Sequence, residues 1–359
     1  MRTLLLSPEL FLAEGGIARI MRLYLKALCE LAGAGDEVSS LVLNDQPGPE
    51  PRLARYSSPA LRTHTGCARG KLRFIGETLR LASGADRIIC GHLHQLPIAW
   101  LAKKLHPALD YFLVAHGIEV WRPYSFLEQR ALLGARRIWC VSDYTRRQLL
   151  RFCPALDVAR LVVVPNALDP FFQPDAAATR SAAVESHPRI LTVARLAATD
   201  TYKGIDTLIE ALPLVRREHP GATLRIVGGG DDLPRLQALA ARVGVETAVS
   251  FAGSIGDEAL RGEYAACDLF ALPSRKEGFG LVFLEAMTHG KSCLGARAGG
   301  VPEVLNDEVG ALAEYGNIPN IAAAVSDLLR YPRDPVRIRA HAGSFAFPRF
   351  KQRLAAALI

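Results

Sequence analysis

Residues 274–287 read SRKEGFGLVFLEAM, with Glu277 and Glu285 eight positions apart around Gly278-Phe279-Gly280. The run starts where an apolar strand, LFALPS (269–274), ends, and it continues into an apolar helix, LVFLEAMTHG, closed by Gly290. A buried strand, a glycine-rich loop and a helix in that order form one β/α unit. Ligands of such units gather beyond the strand's carboxyl end. Glu277 belongs to that loop. Glu285, four residues after Leu281, lies on the helix side that turns back toward the loop. One glutamate here would most simply be a surface residue; two flanking the loop point to a polar ligand.

The same rhythm extends in both directions. Toward the C-terminal half, RILTVA, TLRIVGGG, AVSFAG, LFALPS and KSCLGA read as buried parallel strands with helices between them. Toward the N-terminus, RTLLLS, VSSLVL, DRIIC, YFLVAH, RIWCVS and LVVVP repeat the pattern, with helices over Ile17–Leu31 and Tyr144–Phe152. Between the two series the rhythm breaks in PNALDPFFQPDAAATRSAAVESHP, which has four prolines and no sustained period. The expected class is therefore α/β, with two Rossmann-like doubly wound domains facing a central cleft. The boundaries are set at 1–168 and 188–334, with a linker over 169–187 and a helical tail over 335–359. In that tail Phe345, Phe350 and Leu354 are the apolar points.

With 359 residues, half of them apolar and 22% charged, the chain has length for two domains and material for two cores. No apolar run approaches the roughly 18–20 residues that span a bilayer. The opening MRTLLLSPEL reads as a first strand and not as a secretion signal. Seven cysteines without a C-x-x-C suit reduced, mostly buried thiols and a cytoplasmic setting. The net charge of +7 is uneven: residues 1–165 hold 22 basic and 14 acidic side chains, the remainder 21 and 22. Arg52, Arg55, Arg62, Arg69, Lys71, Arg73, Arg80 and Arg87 stand against only Glu77 and Asp86. Such a segment is either a solvated basic face or a surface for an anionic partner, lipid headgroups or a diphosphate-bearing substrate. Nucleic acid is not expected, because no stacking aromatics interleave with the cations.

Two cations mark a second candidate site. Arg195 follows the strand RILTVA directly, and Lys203-Gly204 opens the next helix. Together, beside a helix N-terminus, they suit a phosphate or diphosphate. The three glycines of IVGGGDD let a ligand approach the backbone, although many strand-to-helix turns need a glycine for their own geometry. His116, in VAHGIEV, follows a buried strand, where a lone histidine is more often a structural hydrogen-bonder than a catalytic group. His92 and His94 lack a third ligand at a recognisable spacing, so no metal site is expected from them. A nicotinamide-binding G-x-G-x-x-G after the first strand is absent from LLLSPELFLAEGGIARI.

The string EGFGLVFLE resembles the E-x7-E motif of retaining glycosyltransferases of the GT-B fold, glycosyltransferase family 4 (the group 1 glycosyltransferases). GGIARI, VPNALD, VARL…YKG, IVGGGDD, FAGSI and GARAGGVPEVL follow in the order of that family. The resemblance covers the second domain and scattered landmarks of the first. It implies that Arg195 and Lys203 hold the diphosphate of a nucleotide sugar and that Glu285 accepts from its ribose hydroxyls. Glu277 contacts the donor sugar, with the backbone N–H groups of Gly278, Phe279, Gly280 and Leu281 beside it. Gly253, Ser254 and Ile255 pass the base, Gly15 and Gly16 approach the phosphates, and His116 lies near the anomeric carbon. The tail would cross back onto the first domain. Ala167 stands where the family often has glycine, and the loop LAATDTY before Lys203 is on the long side.

The expected activity is transfer of a hexose-type sugar from a UDP- or GDP-linked donor to a hydroxyl, with retention, in bacterial polysaccharide or glycolipid assembly. No D-x-D occurs, and Arg195 and Lys203 can supply the charge a metal would give, so neither metal nor cofactor is expected. The acceptor is a saccharide or a lipid-linked saccharide. The basic first domain suits an enzyme peripheral on the inner face of the membrane. A same-fold epimerase or phosphorylase, or a non-catalytic sugar-nucleotide binding module, are the alternatives.

Overall fold

A computed structural model describes residues 1–12, 14–172 and 187–359. It divides into two compact units, Met1–Asp169 together with Phe347–Ile359, and Pro170–Ala346. Most of the linker expected at 169–187 lies outside the described residues.

The first unit holds seven strands: β1 (Arg2–Ser7), β2 (Glu37–Val42), β3 (Leu61–Gly66), β4 (Arg87–Cys90), β5 (Asp110–Ala115), β6 (Arg137–Cys140) and β7 (Leu161–Val163). They form one sheet in the order β3-β2-β1-β4-β5-β6-β7, with parallel pairing throughout. Helices α1 (Gly16–Leu31), α2 (Lys71–Ala82), α3 (Leu96–Leu105), α4 (Phe126–Gly134) and α5 (Asp143–Phe152) connect them. Strand order reverses between β1 and β4, so the crevice of this sheet opens at their carboxyl ends.

The second unit repeats the plan. Its strands are β8 (Arg189–Val193), β9 (Thr223–Val227), β10 (Val249–Gly253), β11 (Leu269–Leu272), β12 (Ser292–Ala296) and β13 (Gly310–Ala313). They run in the order β10-β9-β8-β11-β12-β13, again parallel. Helices α6 (Ile205–Glu218), α7 (Leu233–Arg242), α8 (Asp257–Ala266), α9 (Leu281–Thr288), α10 (Ile318–Arg330) and α11 (Pro335–Gly343) surround the sheet. Here the order reverses between β8 and β11, and those two exits carry Arg195–Lys203 and Ser274–Gly280.

Central strands such as β11 and β12 are buried at every position, as their unbroken apolar runs require. β3 is different. Its LRTHTG is half-exposed at the sheet edge and has no apolar run.

The tail divides between the two units. α11 stays with the second unit, and Phe345 packs edge-on against Phe279 there, with ring centroids 5.5 Å apart. Only α12 (Phe347–Ala357) belongs to the first unit. It lies on α1, where Phe350 meets Tyr24 edge-on at 5.0 Å and Lys351 pairs with Glu30 at 2.7 Å. Phe350 and Leu354 are fully buried, worth about 1.5–3 kcal/mol each in area removed from water. The physical reason for the split is that the tail is two helices, with a break at Ser344–Ala346 and Pro348 in the first turn of the second.

All seven cysteines are free and buried. No helix among the described residues is long and apolar enough to cross a membrane.

Candidate functional site

Two strand exits meet at the switch point of the second sheet. β8 ends at Val193, one residue before the strand expected from sequence, and Arg195 follows as the chain leaves the sheet. Residues 198–203 wind as a tight 3-10 stretch into Gly204, which caps α6 in a left-handed conformation. From β11 the chain passes through Glu277 to Gly280, which caps α9 in the same way. No side chain caps either helix, and neither has an acidic residue in its first turn apart from Asp206 of α6. Helix N-termini of this kind carry partial positive charge and unsatisfied N–H groups, the donors an anion needs.

Lys203 and Glu277 close the gap between the exits: Lys203 Nζ donates to Glu277 Oε1 at 2.5 Å, with both side chains largely sheltered. Arg195 does not join them. Its guanidinium is mostly exposed and holds the buried Asp200 carboxylate at 2.6 Å, which also accepts from the Tyr202 hydroxyl at 3.1 Å. A small pocket lies among Arg195, Asp200, Lys203, Asp206, Asp232 and Arg235, with Arg235 paired to Asp232 at 2.6 Å. Each cation expected to meet a diphosphate thus already has a carboxylate partner.

The loop before Lys203 is pinned from behind. The three glycines of β9's exit run against the exit of β8: Leu196 N–H donates to Gly229 O at 3.0 Å, and Asp232 N–H to Leu196 O at 2.9 Å. A Cβ on Gly228 (φ +133°) would stand 1.8 Å from Ala194 O. These glycines let backbone meet backbone, where the sequence suggested room for a ligand. Gly253 closes the same corner, its carbonyl accepting from Gly228 N–H at 2.8 Å, with the exposed Ser254 and half-buried Ile255 following.

Glu285 is buried, 6% exposed, and accepts from the Tyr264 hydroxyl at 2.9 Å. It faces inward from α9 beside a stacked Tyr264–His289 pair. Phe279 is also buried, so Gly278 to Leu281 contribute backbone and not side chain to the exposed side of this loop.

In the first unit, Gly15 caps α1 with no side-chain hydrogen bond and no acidic residue in the first turn. A Cβ on Gly15 would meet nothing closer than 3.9 Å. Nothing in the surrounding chain requires a glycine there, which leaves the approach to Gly15 and Gly16 open.

His116 sits at the exit of β5, beside the exit of β4. Its Nε2 faces Gly91 O at 2.9 Å. A carbonyl only accepts, so Nε2 carries the proton. Nδ1 is then a bare acceptor, buried and without a hydrogen-bond partner among the described residues. Burial holds His116 neutral, its pKa down at about 4. The neighbouring His92 is likewise pushed down to about 4, chiefly by burial. His92 Nδ1 accepts from the His94 N–H at 3.2 Å, so the two histidines are bound into a local turn. No group of three metal-ligating side chains occurs among the described residues.

Part of the basic segment is compensated. Arg52 pairs with Glu50 and Glu14, Arg62 with Glu37, and Arg80 with Glu77. Among the described residues, Arg69, Lys71 and Arg73 have no acidic partner; they surround Leu72, which is 86% exposed at the start of α2. Ala68 and Arg69, just before them, adopt left-handed backbone conformations.

Sequence reasoning missed Asp200, Tyr264 and Glu119. Asp200 was visible inside LAATDTYKG as the one acid between the two cations. The other two gave no local signal, since their partners are 21 residues away or are backbone N–H groups.

Comparison with known proteins follows these divisions. The family profile described as "Glycosyltransferase Family 4" matches residues 15–171, and that described as "Glycosyl transferases group 1" matches 176–344. A protein of Mycobacterium tuberculosis named GDP-mannose-dependent alpha-(1-6)-phosphatidylinositol monomannoside mannosyltransferase is 36% identical over 255 residues, 65% of this chain and 64% of that protein. A D-inositol 3-phosphate glycosyltransferase of Saccharomonospora viridis is 31% identical over 194 residues, 52% of this chain and 45% of that one. The chain thus aligns with less than two thirds of each relative's length. Among solved structures, Anabaena Alr3699/HepE in complex with UDP and glucose superposes with a TM-score of 0.81 at 21% identity, over 100% of this chain and 99% of that one. Sucrose-phosphate synthase from Thermosynechococcus elongatus gives 0.80 at 21% identity, over 100% and 98%. With two parallel sheets of this order and the two profiles dividing the chain between them, the protein belongs to the group 1 glycosyltransferases of family 4 and has the GT-B fold.

Proposed function

We propose that the protein transfers a hexose from a nucleotide diphosphate hexose to an acceptor hydroxyl, with retention and without a metal. The observation that carries this reading is the Lys203–Glu277 contact between the two exits of the switch point, beside the uncapped starts of α6 and α9. A diphosphate arriving there can take over Lys203 and the helix N–H groups. Glu277 is then freed for hydroxyls of the sugar. Arg195, exposed on its tether to Asp200, adds a second cation to the departing charge. In the step itself the bond from the anomeric carbon to the phosphate oxygen breaks. The acceptor oxygen bonds on the same face, and its proton passes to the departing phosphate. Glu285 serves the ribose, Gly253–Ile255 the base and Gly15–Gly16 the phosphates, while the Nδ1 lone pair of His116 accepts from a sugar hydroxyl.

Because relatives are named for GDP-mannose, a guanine nucleotide is the first donor to try, with UDP-hexoses second. Calorimetric titration with GDP, UDP and ADP tests the reading, followed by NMR of the product's anomeric centre. Tight binding of one nucleotide and a product with the donor's anomeric configuration support it. An inverted product, or nucleotide-sugar turnover that needs no acceptor, would overturn it in favour of other chemistry such as epimerisation.

The acceptor is a saccharide or lipid-linked saccharide, met at an anionic membrane surface. Leu72 standing free among Arg69, Lys71 and Arg73 favours this, at about 1 kcal/mol per cation plus the buried leucine. Leu72→Asp is expected to weaken sedimentation with phosphatidylglycerol vesicles by about ten-fold while leaving transfer to a soluble acceptor intact. Equal binding of both proteins to anionic and neutral vesicles would end this part of the proposal.

A further inference from the structure

His116 is held at two points, and Glu119 supplies one of them. Beyond Ala115 the chain must leave the sheet, and it does so through Gly117 at φ +144°, a conformation side chains rarely adopt. That turn strands several backbone N–H groups away from any ladder partner. The Glu119 side chain folds back over them. Its Oε1 accepts from the His116 N–H at 2.5 Å. The carboxyl group therefore holds the peptide N–H at the root of the histidine.

The second point of attachment is the ring. Nε2 donates to Gly91 O, on the exit of the adjacent strand β4. That exit cannot drift, because a Cβ at Gly91 would lie 2.8 Å from Leu6 O and 2.6 Å from Met21 Cε. With backbone and ring both fixed, the imidazole has one orientation and one tautomer. Its Nδ1 lone pair is left as the only unengaged polar atom of the side chain.

We propose that Glu119 is a positioning residue for the transfer reaction: its side chain, accepting from the His116 N–H, holds His116 in the orientation that keeps Nδ1 an acceptor. The inference rests on the functional reading of His116 given above. A glutamine is a poorer substitute, since only one of its two terminal atoms can accept and a turned amide sets an N–H₂ against the His116 N–H. The peptide at 116–117 then loosens, and the ring loses its fixed bearing. Displacements of about 1 Å at such a group cost on the order of 10²-fold in rate.

The test is a double-mutant cycle on the full chain: wild type, Glu119→Gln, His116→Ala and the pair, each with kcat, donor KM and a urea midpoint. Glu119→Gln should lower kcat about 30-fold with donor KM nearly unchanged, yet cost less than about two-fold when His116 is already alanine. An equal loss in both backgrounds would mean a merely structural glutamate and would overturn the proposal. If His116→Ala alone left transfer undiminished, the functional reading of His116 would fall first, and this inference with it. Should Glu119→Gln fail to fold, ¹⁵N-histidine NMR of the wild type decides. The His116 signal, assigned by difference from His116→Ala, must be the Nε2–H tautomer from pH 5 to 8, and a mixture or the Nδ1–H form would refute the arrangement.

Discussion

Lys203→Ala is expected to lower kcat/KM for transfer by roughly 10²–10³, the range found when one group aimed at developing charge is removed. Two losses combine. In the proposed reaction the departing diphosphate loses a cation that sits against the N-terminus of α6. Glu277, sheltered and formerly held at 2.5 Å, is left as an uncompensated carboxylate where the diphosphate must come. The second loss makes the variant worse than a missing contact. Adding Glu277→Gln to Lys203→Ala should therefore recover part of donor binding, though not of kcat, because Glu277 also serves the sugar. Initial rates across donor concentration, with calorimetric binding of the nucleotide alongside, separate the two. A rate within about three-fold of wild type would place the diphosphate elsewhere.

Gly228→Ala is expected to remove more stability than any surface change in the second unit, on the order of 4–5 kcal/mol, enough to lose a folded donor site. The new Cβ would stand 1.8 Å from Ala194 O on a residue at φ +133°, so two adjoining strand exits would have to part. Gly244→Ala is the internal comparison. It shares a positive φ, +73°, but nothing lies within 4 Å of its Cβ. Left-handed backbone alone costs about 1–2 kcal/mol. Urea unfolding followed on both variants measures the difference. Similar midpoints would mean that the glycines are needed for their dihedrals and not for close approach.

Much of this fold was legible because parallel strands buried on both faces read as unbroken apolar runs. RTLLLS and LFALPS show it at opposite ends of the chain. The two strands that escaped notice have the opposite character. β3, LRTHTG, is half-exposed at an edge and has no apolar run, and β13 is a bare GALA whose Gly310 admits the carbonyl of Cys293. For the candidate site, the residue types and their order after each strand could be read, since strand exits fix position along the chain. Pairing could not. That Lys203 meets Glu277 while Arg195 turns to Asp200 depends on side-chain reach across 74 residues in one case and five in the other. Pairing also bears on the charge excess of residues 52–87. Glu14 and Glu50 pair with Arg52, and Glu37 with Arg62, all from outside the segment.

The return of α12 to the first unit bears on the order in which the polypeptide matures. Seven strands and five helices of that unit are synthesised early, yet the face of α1 bearing Tyr24 waits for Phe350 until residues 347–357 leave the ribosome. The whole of Pro170–Ala346 is made in the interval. For that time the nascent chain carries an uncovered aromatic seam, a natural station for a chaperone and a hazard for premature association. The second unit, continuous along the chain, has no such wait.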